Sequence, residues 1–122
     1  MAASLAAQSE PVLIQSSAEG VTTLRLNRPS KLNALSNELL EALQQALAGI
    51  ACDPDARCVI IEGAGKAFCA GHDLAEMRQT PDEEHYKTLF AACSKVMQSI
   101  VNLPVPAIAK VHGIATAAGC QL

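Results

Sequence analysis

Residues Gly63-Ala64-Gly65-Lys66-Ala67-Phe68-Cys69-Ala70-Gly71-His72-Asp73-Leu74 combine small side chains with an adjacent His-Asp pair. They follow the apolar run Cys58-Val59-Ile60-Ile61, which predicts a buried strand, and lead into short helical sequence at Leu74-Ala75-Glu76-Met77. A small-residue turn between strand and helix leaves backbone N–H groups free to point into a cleft. There they can hold negative charge developing on an oxygen. A second such turn, Gly113-Ile114-Ala115-Thr116-Ala117-Ala118-Gly119, follows another short apolar strand. Facing one another, the two would make an oxyanion hole. The alternative is a purely structural βα turn, and this segment alone leaves both open.

Two nucleotide-binding patterns are excluded. A P-loop needs glycine where Ile60 stands and Ser or Thr where Ala67 follows Lys66. A dinucleotide fingerprint needs a third glycine where Phe68 stands. Other side chains near the turns could carry chemistry. Histidine is the usual general base near neutrality, so His72 is a candidate proton carrier. Otherwise Asp73 caps or braces the turn while the imidazole faces the cleft. His112, ending a strand, reads as a hydrogen-bonded turn residue, and His85 as a surface residue. Cys69 and Cys120 have no cation or base beside them in sequence, which favours packing over a reactive thiol. Lys66 reads equally as a phosphate-facing charge or a solvated lysine.

The 122 residues fit one domain. Half are hydrophobic but only 2% are aromatic, so the expected core is aliphatic and closely packed. A net charge of −3 offers no basic surface to nucleic acid. Pro104, Pro106 and Lys110 break the longest apolar stretches, so no segment is expected to span a membrane. Cys52, Cys58, Cys69, Cys93 and Cys120 show no Cys-x-x-Cys or zinc-like spacing, and no metal is expected. Their odd number favours a reducing compartment. The N-terminus lacks a basic region and has no arginine before Arg25, so a cytoplasmic location is the simplest expectation. The mitochondrial matrix is the alternative.

Several elements must position these turns. Val12-Leu13-Ile14 and Val21–Leu26 are predicted strands joined at Glu19-Gly20. Pro29 fixes a turn over Asn27–Lys31 and pushes Arg28 out of the helical region. Ser36 is the predicted N-cap of a helix, with Glu38 and Glu41 near its positive end. Leu39, Leu40, Leu43, Ala46, Leu47 and Ile50 recur at helical spacing up to about Cys52. After a strand over Cys58–Glu62, Thr80-Pro81-Asp82 opens a long helix with Pro81 in its first turn. Its stripe of Tyr86, Leu89, Phe90, Cys93, Val96, Met97, Ile100 and Val101 is predicted core rather than a cofactor box. Pro104 and Pro106 end that helix before a strand over Ala107–Val111.

The order ββ-α-β-loop-α-β-turn predicts an α/β fold with a mainly parallel sheet and both small-residue turns at strand carboxyl ends. Residues 1–10 read as a polar leader and 11–122 as part of one domain. Gly119-Cys120-Gln121-Leu122 reads as one turn of helix, which cannot stand alone. The expectation is a domain truncated there, with unpartnered apolar faces.

Three segments in order carry a family resemblance: Leu26-Asn27-Arg28-Pro29 with Leu32-Asn33-Ala34-Leu35, then Lys66–Gly71 with Asp73-Leu74, then Pro106-Ala107-Ile108-Ala109 through Gly119-Cys120-Gln121-Leu122. They resemble the enoyl-CoA hydratase/isomerase (crotonase) family over about the N-terminal half of its domain. The Gly-His-Asp-Leu and Ala-Ala-Gly-Cys-Gln-Leu versions look most like its domain-containing protein 3 branch. The resemblance implies a ββα spiral and an acyl-CoA thioester as substrate, with coenzyme A as part of that substrate and no other cofactor. It implies that the main-chain N–H groups of His72 and Ala118 form the oxyanion hole. By the same likeness, Cys69, Ala70, Gly71, His72, Asp73 and Leu74 would line the CoA channel, and Lys31 would approach the CoA phosphates. Gln121 stands where hydratases of the family have Glu. A carboxamide can orient water but cannot serve as general acid or base. The resemblance further implies a homotrimer or hexamer for a full-length relative.

Overall fold

In the computed structural model, which describes residues 10–122, Glu19 and Gly20 reverse the chain with φ of 54° and 84°. Strand β1 (Leu13–Ala18) thereby pairs antiparallel with β2 (Val21–Leu26), Ala18 opposite Val21. Most of the expected leader, and the N-terminal sequence bearing on location, lie outside the described residues.

β3 (Cys58–Gly63) joins β2 in parallel and β5 (Ala107–Ala109) joins β3 in parallel, giving one sheet in the order β1-β2-β3-β5. Helix α1 (Asn37–Ala51) starts as its sequence predicts, the Ser36 side chain accepting a hydrogen bond from Leu39 N–H. Its leucines meet Leu24, Leu26, Val59 and Ile61 from the sheet and Leu89, Cys93 and Val96 from α3 (Glu83–Val101) in one buried cluster. The core is aliphatic, as composition requires, with Phe68 among its largest fully buried side chains.

Several expectations are corrected. The residues read as one continuous turn after β3 contain a buried strand, β4 (Ala67–Cys69), before a short helix α2 (Leu74–Gln79). Three residues are too few for an alternating pattern to show. The strand expected over Ala107–Val111 ends at Ala109 as β5, and the second small-residue turn contains a separate two-residue strand, β6 (Ile114–Ala115). β3 is not buried on both faces: Val59, Ile61 and Gly63 are buried, while Cys58, Ile60 and Glu62 are only half-buried. Pro81 precedes the first turn of α3, because Asp82 holds the N-cap position. The stripe on α3 is broader than the surface that covers it, leaving Phe90 46% and Val101 81% exposed. Ile108, Val111 and Ile114 are exposed as well.

The small sheet matters most for the site. β4 and β6 run parallel, Ala67 opposite Ile114 and Cys69 opposite Ala115, so the segments that follow them emerge at the same end. Thr116 ties them again, donating its N–H to Cys69 O at 3.1 Å and its hydroxyl to Ala70 O at 3.3 Å. Gly119, in the single-turn helix α4 (Ala118–Gln121), lies so close to the Cys69 carbonyl that no β-carbon could fit.

Candidate functional site

The frame of the site is built from the turn between β2 and α1. Pro29–Lys31 forms a single 3₁₀ turn, and Leu32 and Asn33 follow with φ of 54° and 55°. Left-handed backbone suits Asn better than most residues, because its short amide can bond locally. Asn33 is fully buried, and its carboxamide accepts from Arg28 N–H at 2.8 Å. It donates to Ala64 O and Ala67 O, each at 2.9 Å. One side chain therefore fastens the Pro29 turn to the loop between β3 and β4.

Arg28 supplies a second fastening. Its guanidinium donates to Ala34 O and, at 2.9 Å, to the Asp73 carboxylate. These side chains are only 17% and 11% exposed. The other carboxylate oxygen of Asp73 accepts from Glu76 N–H at 3.1 Å, capping α2. Burial pushes the Asp73 carboxyl up. The Glu76 N–H, the Arg28 guanidinium with its charge, and the Ala75 N–H outweigh that and hold it below its usual value. Capping and bracing are thus both the work of Asp73.

Between these fixtures lies His72. Leu35 N–H donates to Gly71 O at 2.7 Å, and Leu35 O accepts from Asp73 N–H at 3.2 Å. In a trans peptide the N–H points opposite to the preceding C=O. Because Gly71 O faces Leu35, the His72 N–H faces away from it, and it has no acceptor among the described residues. The Ala118 N–H is free in the same sense. Ala117 O accepts from Cys120 and Gln121 along the helix, so the Ala118 N–H projects backward from α4. The two turns touch: a β-carbon built on Gly71 would lie 3.5 Å from Ala118 N and 3.1 Å from the Ala117 methyl. Ala117 itself has φ 50° and ψ −126°, a glycine-like conformation imposed on alanine.

The imidazole of His72 packs edge-on against Phe90 of α3, ring centres 5.1 Å apart. Its Nδ1 is buried with no partner among the described residues, and burial holds its pKa below 6.5. The residue as a whole is half-buried, with its ring turned onto Phe90.

Of the remaining candidates, Cys69 is fully buried, its thiol directed at Asn33 O, and burial pushes its pKa up against a backbone bond from Gly71 that lowers it. Ala70 is half-buried, Gly71 buried, and Leu74 63% exposed. Lys31 is exposed on the 3₁₀ turn, whose Leu32 O accepts from Ala70 N–H at 3.0 Å, so it stands beside this segment. Lys66 is exposed. Gln121 is exposed on α4, three residues beyond the free Ala118 amide. His112 meets Gly65 O at 2.6 Å, the turn contact expected of it. Two expectations are revised. Cys120 is exposed rather than packed, and His85 is half-buried, its Nε2 without a partner among the described residues and its ring tilted 6.3 Å from that of Tyr86. Arg28 and Asn33 carry the frame, yet neither drew a role from sequence, since their partners lie about 30–45 residues away.

Residues 16–122 match the family model described as enoyl-CoA hydratase/isomerase. The chain belongs to the enoyl-CoA hydratase/isomerase family. Among curated relatives of this crotonase-type chain is the Xenopus laevis enoyl-CoA hydratase domain-containing protein 3, mitochondrial, 38% identical over 94% of this chain and 39% of the relative. A Mycobacterium smegmatis enoyl-CoA hydratase structure superposes with a TM-score of 0.90 at 56% identity, covering 93% of this chain and 44% of that one. The human enoyl-CoA hydratase domain-containing protein 3 gives 0.86 at 40% identity over the same shares, 93% and 44%. The chain thus spans about two-fifths of the length of the proteins it matches.

Proposed function

We propose that this chain supplies the thioester-binding part of an acyl-CoA site. The His72 and Ala118 N–H groups would hold the thioester oxygen and stabilise the enolate that forms there, either when a nucleophile adds to a conjugated enoyl group or when a base takes the proton from the adjacent carbon. The observation that carries this is a pair of main-chain donors, both without acceptors among the described residues, on two turns in contact. Two donors aimed at an oxygen stabilise it most when it is most negative, which lowers the barrier to enolate formation. The strain at Ala117, of a kind that costs about 1–3 kcal/mol, fits a backbone held for use rather than for stability. Lys31 would meet the CoA phosphates, and the segment from Cys69 to Leu74 would border the channel, with Leu74 and Ala70 offering accessible surface.

Gln121 limits the chemistry. Placed just past the Ala118 amide, it can orient a water molecule but cannot take its proton. This favours a second reading, a protein that binds acyl-CoA and polarises it without hydrating it. The Xenopus laevis relative is named as mitochondrial, which favours a mitochondrial over a cytoplasmic place of action. Assembly as a trimer or hexamer remains part of the proposal for the protein that carries this chain.

The test follows loss of the conjugated enoyl absorbance of crotonyl-CoA by that protein and by its Gln121→Glu variant. Gain of hydration in the variant is expected. If acyl-CoA neither turns over nor protects either protein against heat, the site assignment is wrong.

A further inference from the structure

We propose that Arg28 is a positioning residue for the His72 donor, and that it also cancels a charge that would oppose an oxyanion there. The inference rests on the oxyanion-hole reading above. His72 lies between two residues, Gly71 and Asp73, that are both tied to the turn over residues 28–35, through Leu35 N–H, Leu35 O and the Arg28 guanidinium. Between them the His72 N–H has no acceptor among the described residues.

Asp73 poses an electrostatic problem. A carboxylate one residue from a donor meant to hold negative charge disfavours that charge, and burial strengthens the effect by lowering the local dielectric. Its side chain is 11% exposed, so water screens it little. Arg28 answers with a charge-assisted bond at 2.9 Å, making the pair close to neutral as seen from His72. Its planar fork meets Ala34 O at the same time, fixing the distance between the turn and α2. A lysine ammonium cannot span both acceptors with that geometry.

Coupling this to function needs a readout that simple loosening would not move. The probe is cinnamoyl-CoA bound to the protein that carries this chain, its thioester carbonyl stretch recorded by difference infrared spectroscopy. With the native sequence the stretch is expected to shift down on binding. Arg28→Gln is expected to lose most of that shift while affinity changes by less than about tenfold, since the hydrogen bond is weak in the ground state and grows with charge. Adding Asp73→Asn to Arg28→Gln is expected to restore much of the shift, because the opposing charge is gone. In Arg28→Gln alone, acidification that protonates Asp73 does the same.

A full downshift in folded Arg28→Gln overturns the inference and leaves the oxyanion hole standing. Absence of any downshift in the native protein overturns the hole itself, and this inference with it. If Arg28→Gln does not fold, the Arg28→Gln/Asp73→Asn pair decides. A downshift there near the native value supports charge cancellation, and its loss overturns it.

Discussion

Replacing Asn33 by alanine tests the frame of the site with a magnitude that follows from the structure. The carboxamide makes three hydrogen bonds, to Arg28 N, Ala64 O and Ala67 O, at 2.8, 2.9 and 2.9 Å. Each bond whose partner is left buried and unpaired costs about 1–3 kcal/mol. Only the Ala67 bond is wholly buried. Water can reach the other two partners in part, which places the sum near about 3–4 kcal/mol. Alanine at φ 55° adds about 1 kcal/mol more. The expected loss of about 4–5 kcal/mol is a large share of the about 5–15 kcal/mol typical of a domain. Asn33→Gly keeps the backbone conformation but not the bonds, so its difference from alanine isolates the left-handed cost. Asn33→Asp keeps the bond from Arg28 and sets a carboxylate against two carbonyls, so it is expected to rescue nothing. Urea unfolding measures the loss, and amide exchange locates it, with Ala64 to Cys69 exchanging sooner than α1. A loss under about 1 kcal/mol for Asn33→Ala would refute the assignment of Asn33 as the fastening between the two loops.

Two glycines should respond in opposite directions to the same change. Gly119→Ala drives a methyl into the Cys69 carbonyl and is expected to cost about 1–3 kcal/mol or more and displace the Ala118 amide, whereas exposed Gly49 in α1 has nothing within 4 Å, so Gly49→Ala is expected to gain about 0.5–1 kcal/mol. Thermal unfolding of both variants checks the pair, and equal effects would contradict it. Acid should also weaken the fold through His72. Burial holds its folded pKa below 6.5, so the unfolded chain takes up this proton first as pH falls. The stabilisation is whole above 6.5 and is lost as pH falls through the lower folded value. His72→Phe, which can keep the edge contact with Phe90, should flatten that part of the profile, and an unchanged slope would show that His72 is not its source.

Local chemistry made much of the fold legible. The Ser36 cap, the spacing of Leu39 to Ile50, the Glu19-Gly20 reversal and the prolines after Val101 depend on neighbours a few residues apart. Their outcomes therefore followed from residue types alone. The motif turns were legible as candidate donors for the same reason, since a run of small residues leaves backbone exposed. β4 and β6 were not, because strands of three and two residues have no period to read.

Packing selects which groups face one another. Residue types alone dictated a mainly parallel α/β chain with an aliphatic core and set small-residue turns after the strands. They did not say that Asn33 would reach across to Ala67, that Arg28 would neutralise Asp73, or that the His72 ring would turn onto Phe90. Those contacts join residues 18 to 45 positions apart, and a bond of that reach exists only once helix and sheet packing has brought both ends together. The free amides belong to the same class. A backbone N–H is present at every non-proline residue, and only the packed fold determines which are left without an acceptor.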